Sequence, residues 1–116
     1  MGGGDCLFCR IASKQLDAAI VAEDDGLMAF KDIRPQAPTH LLIIPTEHLP
    51  TLADATPTHT PLLGRMVQFA NRLARQSGLV DGGYRVVINS GAGAGQSVFH
   101  LHLHLLGGRP MRWPPG

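Results

Sequence analysis

Only two cysteines, one tryptophan and one tyrosine occur among the 116 residues, and no Asp or Glu follows Asp81. A dominant charge is missing too: ten Lys and Arg against nine Asp and Glu leave a formal net charge of +1. That balance argues against nucleic acid or an anionic membrane as the main partner. No apolar run approaches the ~18 residues of a membrane span. Met1-Gly2-Gly3-Gly4-Asp5 lacks the basic and apolar regions of a signal peptide, and Cys6 stands where a myristoylation motif wants Ser or Thr. The chain is therefore read as cytoplasmic. A reducing compartment disfavours a structural disulfide between Cys6 and Cys9. Metal binding, redox exchange or two inert thiols stay open for this C-x-x-C. The redox option lacks the strand-to-helix setting of a thioredoxin-like unit.

The length fits one domain with a real core, and no repeat or linker divides residues 1–116. Residues 5–12 read as a short helix with Asp5 as N-cap, which puts Cys6 and Cys9 on one face. Residues 19–23 and 27–31 read as strands joined by Asp24-Asp25-Gly26, a hairpin signal. Residues 39–44 are apolar enough for a central strand stopped by Pro45. Pro57 and Pro61 bracket a helix start with Thr56 or Thr60 as cap. Leu62, Leu63, Met66, Val67, Ala70, Leu73 and Ala74 then recur at helical spacing, Arg65, Gln68, Arg72 and Arg75 take the other face, and Gly78 ends the helix. Residues 84–89 are the fourth strand. Together these elements predict an α+β domain with about five antiparallel strands, one long helix and one short helix.

His100-Leu101-His102-Leu103-His104-Leu105 alternates strictly, the period of a half-buried strand. The three histidines would share one face and the three leucines the other. A solvated polar face is one reading, and a metal pair of His at i and i+2 is another. His100 and His104 lie about 14 Å apart at Cα on an extended strand, so one ion cannot easily take all three. A histidine nucleophile is the third reading, since imidazole can attack phosphorus and then leave. Gly91-Ala92-Gly93-Ala94-Gly95 just upstream suits a phosphate, because glycine lets backbone N–H groups approach closely. The lack of carboxylates nearby suits an anionic substrate as well.

The segment Gly95-Gln96-Ser97-Val98-Phe99-His100-Leu101-His102-Leu103-His104-Leu105-Leu106-Gly107-Gly108-Arg109 closely resembles the histidine triad (HIT) family, whose signature alternates three histidines with apolar residues. Asp32-Ile33-Arg34-Pro35-Gln36-Ala37-Pro38-Thr39-His40-Leu41-Leu42-Ile43-Ile44-Pro45 and Met111-Arg112-Trp113-Pro114-Pro115-Gly116 resemble its Hint branch. The resemblance implies a homodimer with one sheet continued across a two-fold, and a tail over residues 107–116 reaching toward the partner. It implies hydrolysis of the P–N bonds of purine nucleoside phosphoramidates, and of acyl-phosphates, with release of AMP. Dinucleoside polyphosphate hydrolysis, or a nucleotide-binding regulatory role with incidental catalysis, are the alternatives.

Carried over by position, His102 becomes the nucleophile, His100 supports its geometry, His104 holds phosphate oxygens, and Ser97 is a hydroxyl near the leaving amine. Gly95, Gln96, Val98 and Asn89 fall at the phosphate, Asp32 at the ribose, and Phe8, Ile11, Ile33 and Leu42 around the base, with Trp113 shaping the pocket. Cys6, Cys9, His48 and His100 match the positions at which many bacterial members hold a structural zinc; the chemistry itself would need no cofactor. Phe99 and Arg112 depart from the common pattern, where Tyr and His are frequent.

Overall fold

The computed structural model describes residues 5–116. Residues 1–4 of the Met1–Asp5 stretch noted above lie outside the described residues. Five strands form one antiparallel sheet: β1 (Ile20–Asp24), β2 (Leu27–Lys31), β3 (Thr39–Pro45), β4 (Tyr84–Val87) and β5 (Leu103–Gly107). Their spatial order is β1-β2-β3-β5-β4. The short helix α1 spans Leu7–Ala12 and the long helix α2 spans Thr60–Gln76. This is the α+β arrangement the patterning predicts.

The β1–β2 turn follows its chemistry. Asp25 and Gly26 both hold positive φ, 36° and 83°, the mirror-image turn that matches strand twist. β3 is buried over nearly its whole length, as its unbroken apolar run requires, and it includes Pro45. Two helix starts differ from expectation. Cys6, not Asp5, is the N-cap of α1, because its Sγ accepts the Cys9 backbone N–H at 3.4 Å. Before α2, a short 3₁₀ turn over Pro57–His59 leads straight in, so His59 rather than a threonine takes the cap position. At the other end Gly78 has φ +71°, Gly78 N–H reaches Arg75 O and Leu79 N–H reaches Ala74 O. That pair of bonds is a Schellman close.

α2 packs Met66, Phe69, Ala70, Leu73 and Ala74 onto one sheet face. Phe69 takes the core place the pattern assigned to Val67, which is exposed. The 100° step between positions leaves Val67 on the helix flank, and the Arg72 guanidinium covers the Phe69 ring at 5.0 Å.

The histidine segment is a strand only from Leu103 onward, and β4 likewise ends at Val87 rather than Asn89. Residues 100–102 leave the ladder, and Leu101 N–H instead donates to Leu49 O at 2.6 Å. The alternation of faces persists nonetheless. Leu101, Leu103 and Leu105 enter the core beneath α2. The opposite face is not solvated: His100 is fully buried and His102 nearly so. Phe8 of α1 lies edge-on over both imidazoles, with centroid distances of 6.0 Å to His100 and 5.1 Å to His102.

Candidate active site

A cavity of about 490 Å³ opens on the α1 side of the sheet. Its wall gathers Phe8, Ile11, Asp32, Ile33, Leu42, Ser97, Val98, His102 and His104 from five separate stretches of chain. The cavity is apolar along α1 and β2 and polar where β5 begins.

Hydrogen bonds fix the proton on each ring. His102 Nδ1 lies 2.8 Å from His100 O, and a carbonyl only accepts, so Nδ1 carries the proton. His102 Nε2 therefore keeps a lone pair. A second relay sets His104 the opposite way. His40 Nδ1 accepts the Gln36 backbone N–H at 3.0 Å, so its proton sits on Nε2. That Nε2–H donates to His104 Nδ1 at 2.9 Å, which leaves His104 Nε2 as a donor. Two neighbouring imidazoles, 5.0 Å apart at their centroids, thus offer a lone pair and an N–H.

Burial keeps all of them neutral. His40, His100 and His102 are held below the ordinary histidine range mainly by desolvation. His104 is pushed down to about 4 by burial and by the neighbouring His102 and His40. Asp32 opposes that trend at His40, with Oδ2 3.4 Å from Nε2.

His100 stands apart from the cavity. Its Nε2–H donates to Pro45 O at 2.7 Å, so its Nδ1 lone pair points to Cys6 Sγ at 3.2 Å and Cys9 Sγ at 3.4 Å. His48 Nδ1 lies 3.2 Å from Cys9 Sγ. The four donor atoms all sit within 4.8 Å of one another. Two thiols and two imidazoles with lone pairs converging form a closed set suited to zinc. Burial and the adjacent Cys6 raise the Cys9 thiol to about 11, a bias that a bound cation reverses. Asp32, His40 and His104 are equally close together. That trio does not suit a metal, because the Gln36 N–H occupies His40 Nδ1 and leaves Nε2 protonated.

Gln96, Asn89, Gly95 and Trp113 are not among the residues lining this cavity. Gln96 is buried with its amide spent internally: Oε1 accepts from Gly91 N–H, and Nε2 donates to Pro50 O and Val98 O. It braces the glycine loop. Asn89 and Gly95 adjoin each other outside the cavity lining. Trp113 is 82% exposed and lies beside β4 with Tyr84 and Pro115. His40 escaped the sequence reading; a histidine inside an otherwise apolar strand was its signal.

Comparison with known proteins agrees with this geometry. The model of the HIT domain matches residues 13–111, and the chain belongs to that family. The crystal structure of a HIT family hydrolase from Legionella pneumophila superposes with a TM-score of 0.95 at 53% identity, over 97% of this chain and 100% of the other. The 14 kDa zinc-binding protein of Zea mays is 51% identical over 95% of this chain and 87% of its own. The purine nucleoside phosphoramidase of Escherichia coli is 45% identical over 92% of this chain and 90% of its own.

Proposed function

We propose that this chain hydrolyses the P–N bond of purine nucleoside phosphoramidates through a nucleotidyl-histidine intermediate. One observation carries the reading: His102 Nε2 holds a lone pair beside a His104 Nε2–H on the same cavity wall. In the first step His102 Nε2 attacks phosphorus and the P–N bond breaks. The leaving nitrogen takes a proton from solvent beside the Ser97 hydroxyl and departs as an amine. His104 N–H stabilises the charge on a phosphoryl oxygen. Water then attacks phosphorus and returns one proton to solvent, the P–Nε2 bond breaks, and the lone pair returns to His102. The products are an amine and a nucleoside monophosphate such as AMP. Asp32 receives the ribose hydroxyls, and the slot between Phe8, Ile11, Ile33 and Leu42 takes the base.

In this reading Cys6, Cys9, His48 and His100 hold zinc, which fixes His100 and through its carbonyl the His102 tautomer. Residues 1–116 act as one domain and pair as a homodimer in the cytoplasm. The free outer edge of β4, exposed Val67 and Val86, and the Trp113 tail beside that edge support the pairing.

The test compares an adenosine phosphoramidate with a diadenosine polyphosphate, using wild-type protein and His102→Ala. Fast P–N cleavage that drops by ~10³-fold or more in the variant is expected. Cleavage of the polyphosphate alone moves the protein to the other hydrolase class. AMP binding without turnover of either leaves a nucleotide-binding regulator.

A further inference from the structure

We propose that Asp17 reads the purine and selects guanine over adenine; this rests on the nucleotide reading of the cavity. Cα partners across the sheet run His104, Leu42, Phe30, Ile20, from β5 to β1. Three strand spacings separate the ends of that row, about 14 Å. His104 stands at one end. Ile20 stands at the other, and Asp17 precedes it by three residues in the loop whose Ala18 O accepts the Ile20 N–H. His104 and Asp17 line the same cavity, and the wall between them is Phe8, Ile11, Phe30 and Leu42.

The two carboxylates of this cavity differ in what they are free to do. Asp32 already accepts the Arg34 N–H at 2.8 Å and faces His40. The ion pairs among the described residues leave Asp17 out. With phosphorus at His102 and ribose at Asp32, the base lies along the apolar wall. Its far edge then meets Asp17.

That edge distinguishes the purines. Guanine presents N1–H and its 2-amino group side by side, two donors for the two oxygens of one carboxylate. Hypoxanthine presents N1–H alone. Adenine presents a single 6-amino donor beside the N1 lone pair, which a carboxylate repels. The order is therefore guanine, then hypoxanthine, then adenine. Asparagine at the same place offers one acceptor and one donor, the complement of adenine.

The experiment measures kcat/KM for guanosine, inosine and adenosine phosphoramidates, with the Kd of GMP and AMP, for wild type and Asp17→Asn. A guanosine preference of about tenfold is expected in the wild type, tempered by the exposure of Asp17. Asp17→Asn should erase or invert it, an effect that a structural role for Asp17 would not produce. Equal wild-type constants for GMP and AMP, or an unchanged ratio in the variant, overturn the proposal and leave the nucleotide reading intact. Failure of the wild type to bind either nucleotide overturns the nucleotide reading, and this proposal with it.

Discussion

The two faces of the sheet are unequal. Beneath α2, fourteen buried apolar residues form one continuous cluster. Beneath α1 there are six, and the remaining space is the cavity, the buried histidines and the thiol pair. One face is filled by a seventeen-residue helix and the other is left partly open by a six-residue one. Packing thus concentrates where the long helix lies, and polar groups accumulate where covering is short. Stability and chemistry are separated by the thickness of a single sheet.

The sharpest test of that separation is reciprocal. His102→Ala should abolish turnover, as above, while its melting temperature stays within a few degrees of wild type. Leu103→Ala, one residue along, should do the reverse. Leu103 is fully buried under α2, so its truncation should cost about 2–5 kcal/mol, read as a lower urea midpoint. The folded fraction should keep its kcat. A Leu103 variant that loses kcat without losing stability would merge the two faces.

A smaller effect is expected at the thiol pair. Cys9→Ser should cut bound zinc from about one equivalent per chain toward none, by metal analysis. The melting temperature should fall by an amount set by the lost binding energy, roughly 2–3 kcal/mol at saturating metal. Zinc content unchanged in the variant would remove Cys9 from the ligand set.

Acid gives the smallest expected change. His40, His100, His102 and His104 all have folded pKa values below the ordinary ~6.5. Between those values and 6.5 the unfolded chain binds more protons than the folded one, so stability rises with pH there. Their contribution is complete above pH 6.5 and is lost as acidification passes through the lowered folded values. For His104, lowered to about 4, the loss by pH 4.5 is of order 1–2 kcal/mol. Urea titrations at pH 7, 6 and 5 check the sign. The acid limb of kcat/KM should also lie below 6.5, since His102 keeps its lone pair there.

Local chemistry made much of the fold legible. The Asp25-Gly26 turn, the apolar run of β3 and the Gly78 stop act over a few residues, and each was readable in isolation. Face assignment in the histidine segment was readable for the same reason. What covers a face is not local. Nothing near His100 in sequence reveals Phe8 over it. The place of Gln96 beside Ser97 is plain from sequence, whereas the turn of its amide inward to Pro50 and Val98 depends on a distant segment. His40 was invisible because its bond to His104 joins residues 64 positions apart.

The strict alternation over residues 100–105 carries one more consequence. A slip of one residue would turn the leucines toward the cavity and the imidazoles into the main core. Such a chain would lose its packing and the cavity position of His102 in the same event. Parity along six residues thus serves as a proofreading device: a molecule that has folded at all has its histidines on the correct side.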